Sequence, residues 1–240
     1  MKRSPRFQAT HRVNAAIGLT TAALVALFGL TLLPACGDDS DDRQSQACVS
    51  GFPASGQTTA YGTGSDGDVR AGAALSYTDN GDGTITDNNT GLMWEKKDDS
   101  GGLHDKDNFY TWGMTDPPYE MNGTMLTQFL LVLNQEPCFA EYCDWRIPNV
   151  RELQSIVDYQ VVDPGPTVSA AFHNAAGCPG CADVTVASCS CTASYYYWSS
   201  TTGSRGANYA WLVDFTFGGV FNVYGIKNNL EHVRAVRGGG

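Results

Sequence analysis

Four cysteines fall within fourteen residues, Cys178-Pro-Gly-Cys181 and Cys189-Ser-Cys191, and two more, Cys138 and Cys143, bracket the short stretch CFAEYC. No other feature limits the fold so strongly. If oxidised, these thiols staple two surface loops; if reduced, the same spacing permits a four-cysteine zinc site or a C-x-x-C redox centre. The choice rests on the compartment, and the N-terminus bears on that.

The chain begins MKRSPRFQATHR, basic and free of acid, and continues with an apolar run over roughly 13–33. It then reads Leu33-Pro34-Ala35-Cys36-Gly37. A charged start, an apolar segment and small residues before a cut describe a secretory signal. The ending resembles the bacterial lipobox, which implies cleavage before Cys36 and acylation of its thiol. A single membrane-spanning helix is the competing reading, since the run is about long enough to cross a bilayer. Against it stand the placement of Cys36 and the acidic stretch GDDSDDRQSQ that follows at once. The expectation is a cell-envelope location, as an outer-membrane lipoprotein or at the cell surface, with the membrane met through lipid alone. Gly37, rather than Asp, follows the cysteine; by resemblance to the sorting rule of enteric bacteria, this permits transport to the outer membrane.

Residues 1–35 hold four of the fifteen Lys and Arg and no acid, so the remainder carries 11 basic against 25 acidic residues, a net of −14. That sign disfavours nucleic acid and other polyanions. Outside the cytoplasm disulfides are the default. With lipid on Cys36, seven cysteines remain, an odd number, so one thiol is free or pairs between chains, and Cys48 is the one expected. Cys138 and Cys143 are expected to close their loop, while the pairing among Cys178, Cys181, Cys189 and Cys191 stays open.

The expected organisation is a signal peptide at 1–35, a flexible tether at 36–70 rich in Gly, Ser, Asp and Thr, and a globular domain at 71–240 holding all five tryptophans. ALSYTDNGDGTITDNNTGLMWEK reads as a hairpin about Asp79-Asn80-Gly81-Asp82-Gly83, with a second turn at Asn88–Gly91. TMLTQFLLVLNQ, 124–135, places Leu126, Phe129, Leu130 and Leu133 on one helical face. AWLVDFTFGGVFNVYGI reads as another hairpin, with Trp211, Val213, Phe215 and Phe217 alternating before Gly218-Gly219, and HVRAVR closes as a short strand. In DWRIPNVREL, Asn149 is an N-cap and Glu152 stands where its carboxylate reaches back to the cap amide. Arg146 lies between two apolar anchors and needs a ring or a carboxylate. Strands at both ends with helices between give an α+β class.

Taken in order, DNGDGTITDNNTGLMWEK, DWRIPNVREL, YYYWSSTT, AWLVDFTFG and HVRAVRGG resemble one bacterial family, the domain typified by the C-terminal part of the collagen-like surface adhesin Lcl. The resemblance covers about 75–238. It implies a C-type-lectin-like mixed fold of short antiparallel hairpins and two helices, here stabilised by disulfides. It further implies a secreted or lipid-anchored domain that adheres to polysaccharide, often sulfated, and that can form oligomers. The net of −14 departs from a polyanion-binding pattern. The family supplies no agreed catalytic set, and none is assigned here.

No cofactor is expected, though calcium is a possible metal. Asp79, Asp82 and Asp87 share a Gly-rich loop with the oxygen ligands a hard cation prefers. The loop fails the EF-hand template, because Thr78 and Asn89 would fill its first and twelfth positions. Asn-Gly and Asp-Gly pairs also serve as turns. Cys178-Pro-Gly-Cys181 lacks the strand and helix that a redox centre uses, so a structural disulfide knot is favoured. His104, His173 and His232 show no metal spacing. The lectin-like fold also hosts formylglycine-generating enzymes, but no cysteine follows Cys191. A binding face is drawn from Tyr195, Tyr196, Tyr197, Trp198, Trp211, Phe221 and Tyr224, half of them core by strand alternation, with Asn208, Tyr209, Asn222 and Asn228 as polar neighbours. Tyr196, Trp211, Asn222 and Tyr224 are the candidate ligand residues. The expected function is a lipid-anchored, non-catalytic domain for glycan or protein ligands; the alternative is a surface accessory or sensor component.

Overall fold

The computed structural model describes residues 52–161 and 164–238. The leader, Cys36 and Cys48 lie outside the described residues, and with them the expectations of cleavage, acylation and an unpaired thiol. Among the described residues no helix is long and apolar enough to cross a membrane.

In chain order the elements are α1 (Asp66–Val69), β1 (Tyr77–Asp79), β2 (Thr84–Asp87), β3 (Met93–Glu95), a π-helical segment Met125–Leu130 running into α2 (Leu131–Leu133), a 3-10 turn Phe139–Glu141, α3 (Val150–Gln154), β4 (Tyr196–Thr202), β5 (Ala210–Asp214), β6 (Gly219–Phe221) and β7 (Val236–Arg237). They form two sheets, antiparallel throughout, ordered β1-β2-β3-β7 and β4-β5-β6. The mixed α+β character and both expected hairpins are therefore present. The first hairpin pairs Tyr77 with Asp87 and Asp79 with Ile85. Its turn needs Gly81 and Gly83 at φ of 75° and 91°, and a Cβ at Gly83 would also strike Val184 and Phe139.

The last segment of the chain ties the two sheets together. Glu231 bridges Tyr110, His232 pairs in parallel with Tyr197 of β4, and Val236 pairs with Trp94 of β3 and with Arg146. Side chains alternate along it. Val233 and Ala235 enter one core with Trp112, Met125, Phe129, Trp145, Trp198 and Leu212. Val236 enters the other with Ile85, Trp94, Phe172, Tyr197, Val213 and Phe215. Central strand β5 is thus covered on both faces, and Leu212, Val213, Asp214 and Phe215 are all buried. This corrects the expected alternation of Trp211, Val213, Phe215 and Phe217. A strand sandwiched between two cores loses its polar face, and Phe217 lies in the turn, 70% exposed.

Two helical expectations divide. At α3, Asn149 Oδ1 accepts from the amides of Arg151 and Glu152, and Glu152 Oε2 accepts from the amide of Asn149 at 2.8 Å, a complete capping box. The carboxylate that Arg146 requires is Glu152, held by two hydrogen bonds of 2.7 and 2.8 Å. Burial pushes the Glu152 carboxyl up, but Arg146 and the Asn149 amide outweigh it and hold it below its ordinary value. In 124–135 the buried stripe is Met125, Phe129 and Leu133, with Leu126 and Leu130 only half-buried. The π turns are wider than α turns, so an apolar spacing of four stays on one face where 3.6 was assumed.

Part of the segment expected as tether, 52–70, falls among the described residues. From Phe52 onward the chain lies on the domain: Pro53 bridges Ala73, Tyr159 donates its amide to Ser55, and the Gln160 side-chain oxygen accepts from Thr58 and Thr59. Small polar residues that look like linker serve here because their backbone finds fixed partners.

Cys138 pairs with Cys143, as expected. In the cluster, Cys178 pairs with Cys191 and Cys181 with Cys189, one loop nested in the other. The two cysteines of C-x-x-C are therefore not joined to each other, and all four sulfurs are engaged in place of a zinc site.

Arg234 lies where these parts meet, fully buried. Its guanidinium donates to the Glu95 carbonyl of β3 at 2.7 Å, and to the Cys191 carbonyl and Thr192 Oγ1 at 2.8 Å. Removing it leaves three buried acceptors without donors, so Arg234→Met should cost about 3–5 kcal/mol. Arg234→Lys should recover only part of this, because one ammonium cannot span the fork. Urea unfolding of the oxidised protein reads both; a midpoint unmoved by Arg234→Met would refute the role.

Candidate functional site

Two groups of polar and aromatic side chains stand out, one enclosed and one open. The enclosed group begins at Glu95, whose Oε1 lies 2.9 Å from Lys97 Nζ and 2.8 Å from His104 Nδ1, and whose Oε2 accepts from the Ala235 amide. Lys97 Nζ is close enough for an ion pair but poorly aligned for a hydrogen bond, and it rests 4.4 Å from the Phe129 ring centroid. Burial pushes the Glu95 carboxyl up, yet Lys97 and His104 outweigh it and hold it below its ordinary value. At Lys97 burial prevails and holds the ammonium below its ordinary value despite Glu95. Sequence reasoning missed this group, since Glu95-Lys96-Lys97-Asp98 has the look of a solvated charge run. Lys96 is likewise buried, bound to Asp79 at 2.7 Å and to the Val186 carbonyl. Glu95 and Lys97 are buried and His104 is half-buried, and the cluster joins β3 to the last segment through the Ala235 amide.

The open group lies at the end of the second sheet. Tyr196, Phe221 and Tyr224 form a triangle of rings with centroids 5.8, 6.1 and 6.2 Å apart. Tyr224 is 55% exposed, and Tyr196 and Phe221 are half-buried. Tyr195 adjoins at 5.3 Å from Tyr196 and links this triangle to Phe109 and His232. Register fixes what flanks Tyr196. Asp214 is its partner across β4–β5, and the amide of His232 donates to its carbonyl at 3.0 Å, which sets Glu231 beside it on the other side. Tyr196, Asp214 and Glu231 therefore stand in one row across one face of the sheet.

The sequence placed Tyr196, Trp211, Asn222 and Tyr224 together; the structure unites only part of that set. Tyr196 and Tyr224 touch, and Asn222 lies between Phe221 and Tyr224 in the chain, its amide donating to Ser204 Oγ. Trp211 is two residues before Val213 and shares its face, away from Tyr196, so it is not part of this surface. Tyr197 and Trp198 are fully buried and belong to the two cores. Asn208 uses its carbonyl to hold Lys227, and Asn228 borders a separate polar cleft with Thr111, Asp116 and Asn122.

The three candidate calcium ligands do not converge. Asp79 accepts from Gly81 and Lys96, Asp82 from Thr84, and Asp87 from Asn89 and Thr90, each serving its own turn. A different carboxylate trio, Asp99, Asp105 and Asp107, does have oxygens within 4.8 Å of one another, drawn together by Lys106 and by loop amides.

Glu231 and His232 differ from every other titratable group in the site. Glu231 is 6% exposed, and its Oε2 has no hydrogen-bond partner among the described residues; burial pushes its carboxyl up to about 7. Burial also pushes the His232 imidazole down to about 4, against the pull of the Asn108 carbonyl and Asp107. Between about pH 4.5 and 7 the folded state keeps a proton on Glu231 that the unfolded chain has released, so stability falls as pH rises. Between about pH 4 and 6.5 the unfolded chain holds a proton that His232 lacks, so stability rises. Each effect has a ceiling of about 3 kcal/mol, and they oppose. The parent should therefore show little change in stability from pH 4.5 to 6.5. Glu231→Gln should become steadily more stable as pH rises through that window, and should exceed the parent above pH 7. Urea midpoints measured at several pH values decide this; parallel curves for the two proteins would refute it.

Neither a curated protein nor a solved structure matches the chain. The family model of the Lcl C-terminal domain matches residues 83–237, which runs from the first hairpin turn through β7 and takes in the second sheet, the first sheet apart from β1, the disulfide knot and the aromatic face. That span is more than half of the sequence, and the chain belongs to the Lcl C-terminal domain family.

Proposed function

We propose that this chain is a non-catalytic binding domain, held at the cell envelope by acyl chains on Cys36, that engages a sugar ring or a protein side chain at the Tyr196 face. The observation that carries this reading is the ring triangle of Tyr196, Phe221 and Tyr224, open to solvent at the end of a sheet whose Tyr197, Trp198, Leu212 and Val213 are locked in two cores. Rings fixed on a rigid element lose little freedom when a ligand stacks on them. Family membership supports a surface-associated role. The pairing of β7 with β3, which brings the end of the chain back beside its first hairpin, supports a C-type-lectin-like arrangement. A net of −14 beyond the leader argues for neutral or basic ligands over sulfated ones.

Glycan and peptide arrays probed with the full-length protein test the binding role. Tyr196→Ala and Tyr224→Ala should each weaken the captured ligand about threefold to tenfold, the worth of one ring contact, while far-ultraviolet circular dichroism stays unchanged. A blank array, or a Tyr196→Ala protein that binds as the parent does, would overturn the reading. Mass spectrometry of the native protein tests the anchor: Cys36 should be the acylated first residue, and an intact leader or a bare thiol would remove it.

A further inference from the structure

Carboxylates elsewhere in the buried parts of this fold are satisfied. Glu95 has Lys97, His104 and the Ala235 amide; Asp87 has Asn89 and Thr90; Asp98 has Ser100; Asp105 has the amides of Gly101 and Asp107. The two that flank Tyr196 are different. Asp214 receives only the amide of Thr216, and Glu231, more than nine-tenths buried, receives nothing among the described residues. No described lysine or arginine pairs with either.

The rings beside them are free in the same sense. Cations already rest on rings in this molecule: Lys97 on Phe129, Lys227 on Trp112 at 3.6 Å, and Arg237 on Tyr142 at 3.7 Å. Tyr196, Phe221 and Tyr224 carry none among the described residues. Three electron-rich faces and two carboxylates without a counter-charge therefore meet at one half-open place, where water is partly excluded and a positive charge is worth most.

We propose that Tyr196, Phe221 and Tyr224, with Asp214 and Glu231, form a seat for an alkylammonium group. This rests on the binding-face reading above and narrows it to a ligand class. Glu231 and Asp214 supply the charge, and the rings supply the surface for the methylene or methyl groups around the nitrogen. The same group occurs in a lysine side chain and in a quaternary ammonium compound such as choline, and both fit this chemistry.

Calorimetric titration of the full-length protein at about pH 8 separates the terms. The probes are choline, its neutral isostere 3,3-dimethylbutan-1-ol, and N-acetyl-lysine methylamide. At least one cation should bind about tenfold or more tightly than the neutral isostere. Binding by choline alone would identify a quaternary ligand, and binding by the lysine derivative alone a protein side chain; either supports the seat. Glu231→Gln, which the pH argument above makes no less stable than the parent, should cut the preference severalfold, leaving what Asp214 and the rings supply, and Tyr196→Leu should weaken cation binding with the fold intact. Equal affinity for choline and its isostere, no cation binding at all, or a cation preference untouched by Glu231→Gln would overturn the proposal. If array ligands are still captured through Tyr196 in those cases, the binding face survives without its cationic preference. If Tyr196 matters to neither, both fall.

Discussion

The guanidinium of Arg234 is the contact on which the rest of the molecule depends. An arginine in a dry interior is costly unless its donors are met, and here two of its nitrogens are met by groups from separate parts of the chain. Glu95 belongs to the first sheet, Cys191 and Thr192 lead from the disulfide knot into β4, and Arg234 itself lies on the segment that crosses from one sheet to the other. Its face is backed by Phe172, 5.4 Å away in the first core. Each sheet is small, four short strands in one and three in the other, and the final segment pairs with both. What makes them one body is this crossing, with the two cores closed on either side of it.

The disulfide knot belongs to the same logic. Four cysteines within fourteen residues hold a loop with little regular structure, and the nested bridges bury all four against one another. Cys191 sits at the exit of that loop, its amide bound to the Lys97 carbonyl and its carbonyl to Arg234. The staple thus places the start of β4 and, a few residues on, the aromatic row that faces solvent.

Local signals were legible in the sequence. The Asn-Gly and Asp-Gly turns, the Asn149–Glu152 cap and the pairing of Cys138 with Cys143 are set by residues within a few positions of each other, so spacing alone predicts them. What escaped was whatever depends on distant partners. Trp211, Val213 and Phe215 look like one face of a half-exposed strand, and only the second core shows that both faces are covered. Glu95, Lys96 and Lys97 look solvated because nothing nearby in the chain reveals that Arg234, His104 and Asp79 will enclose or pair them. The polar segment after Phe52 looks like linker because its partners, Tyr159 and Gln160, come a hundred residues later. At the candidate site the aromatics were visible, but the division between Tyr196 and Trp211, and the isolation of Glu231, needed the register of β4 against two neighbours.

Both ends of the described domain come to the same place. Phe52 borders a groove with Thr90, Leu92, Arg151 and Glu152, while Gly238 is held by Arg146 and lies beside Gly91. A unit whose inlet and outlet adjoin can be spliced into a loop of a larger host without prising that loop apart. The arrangement leaves the Tyr196 face at the end of the second sheet clear of such a junction.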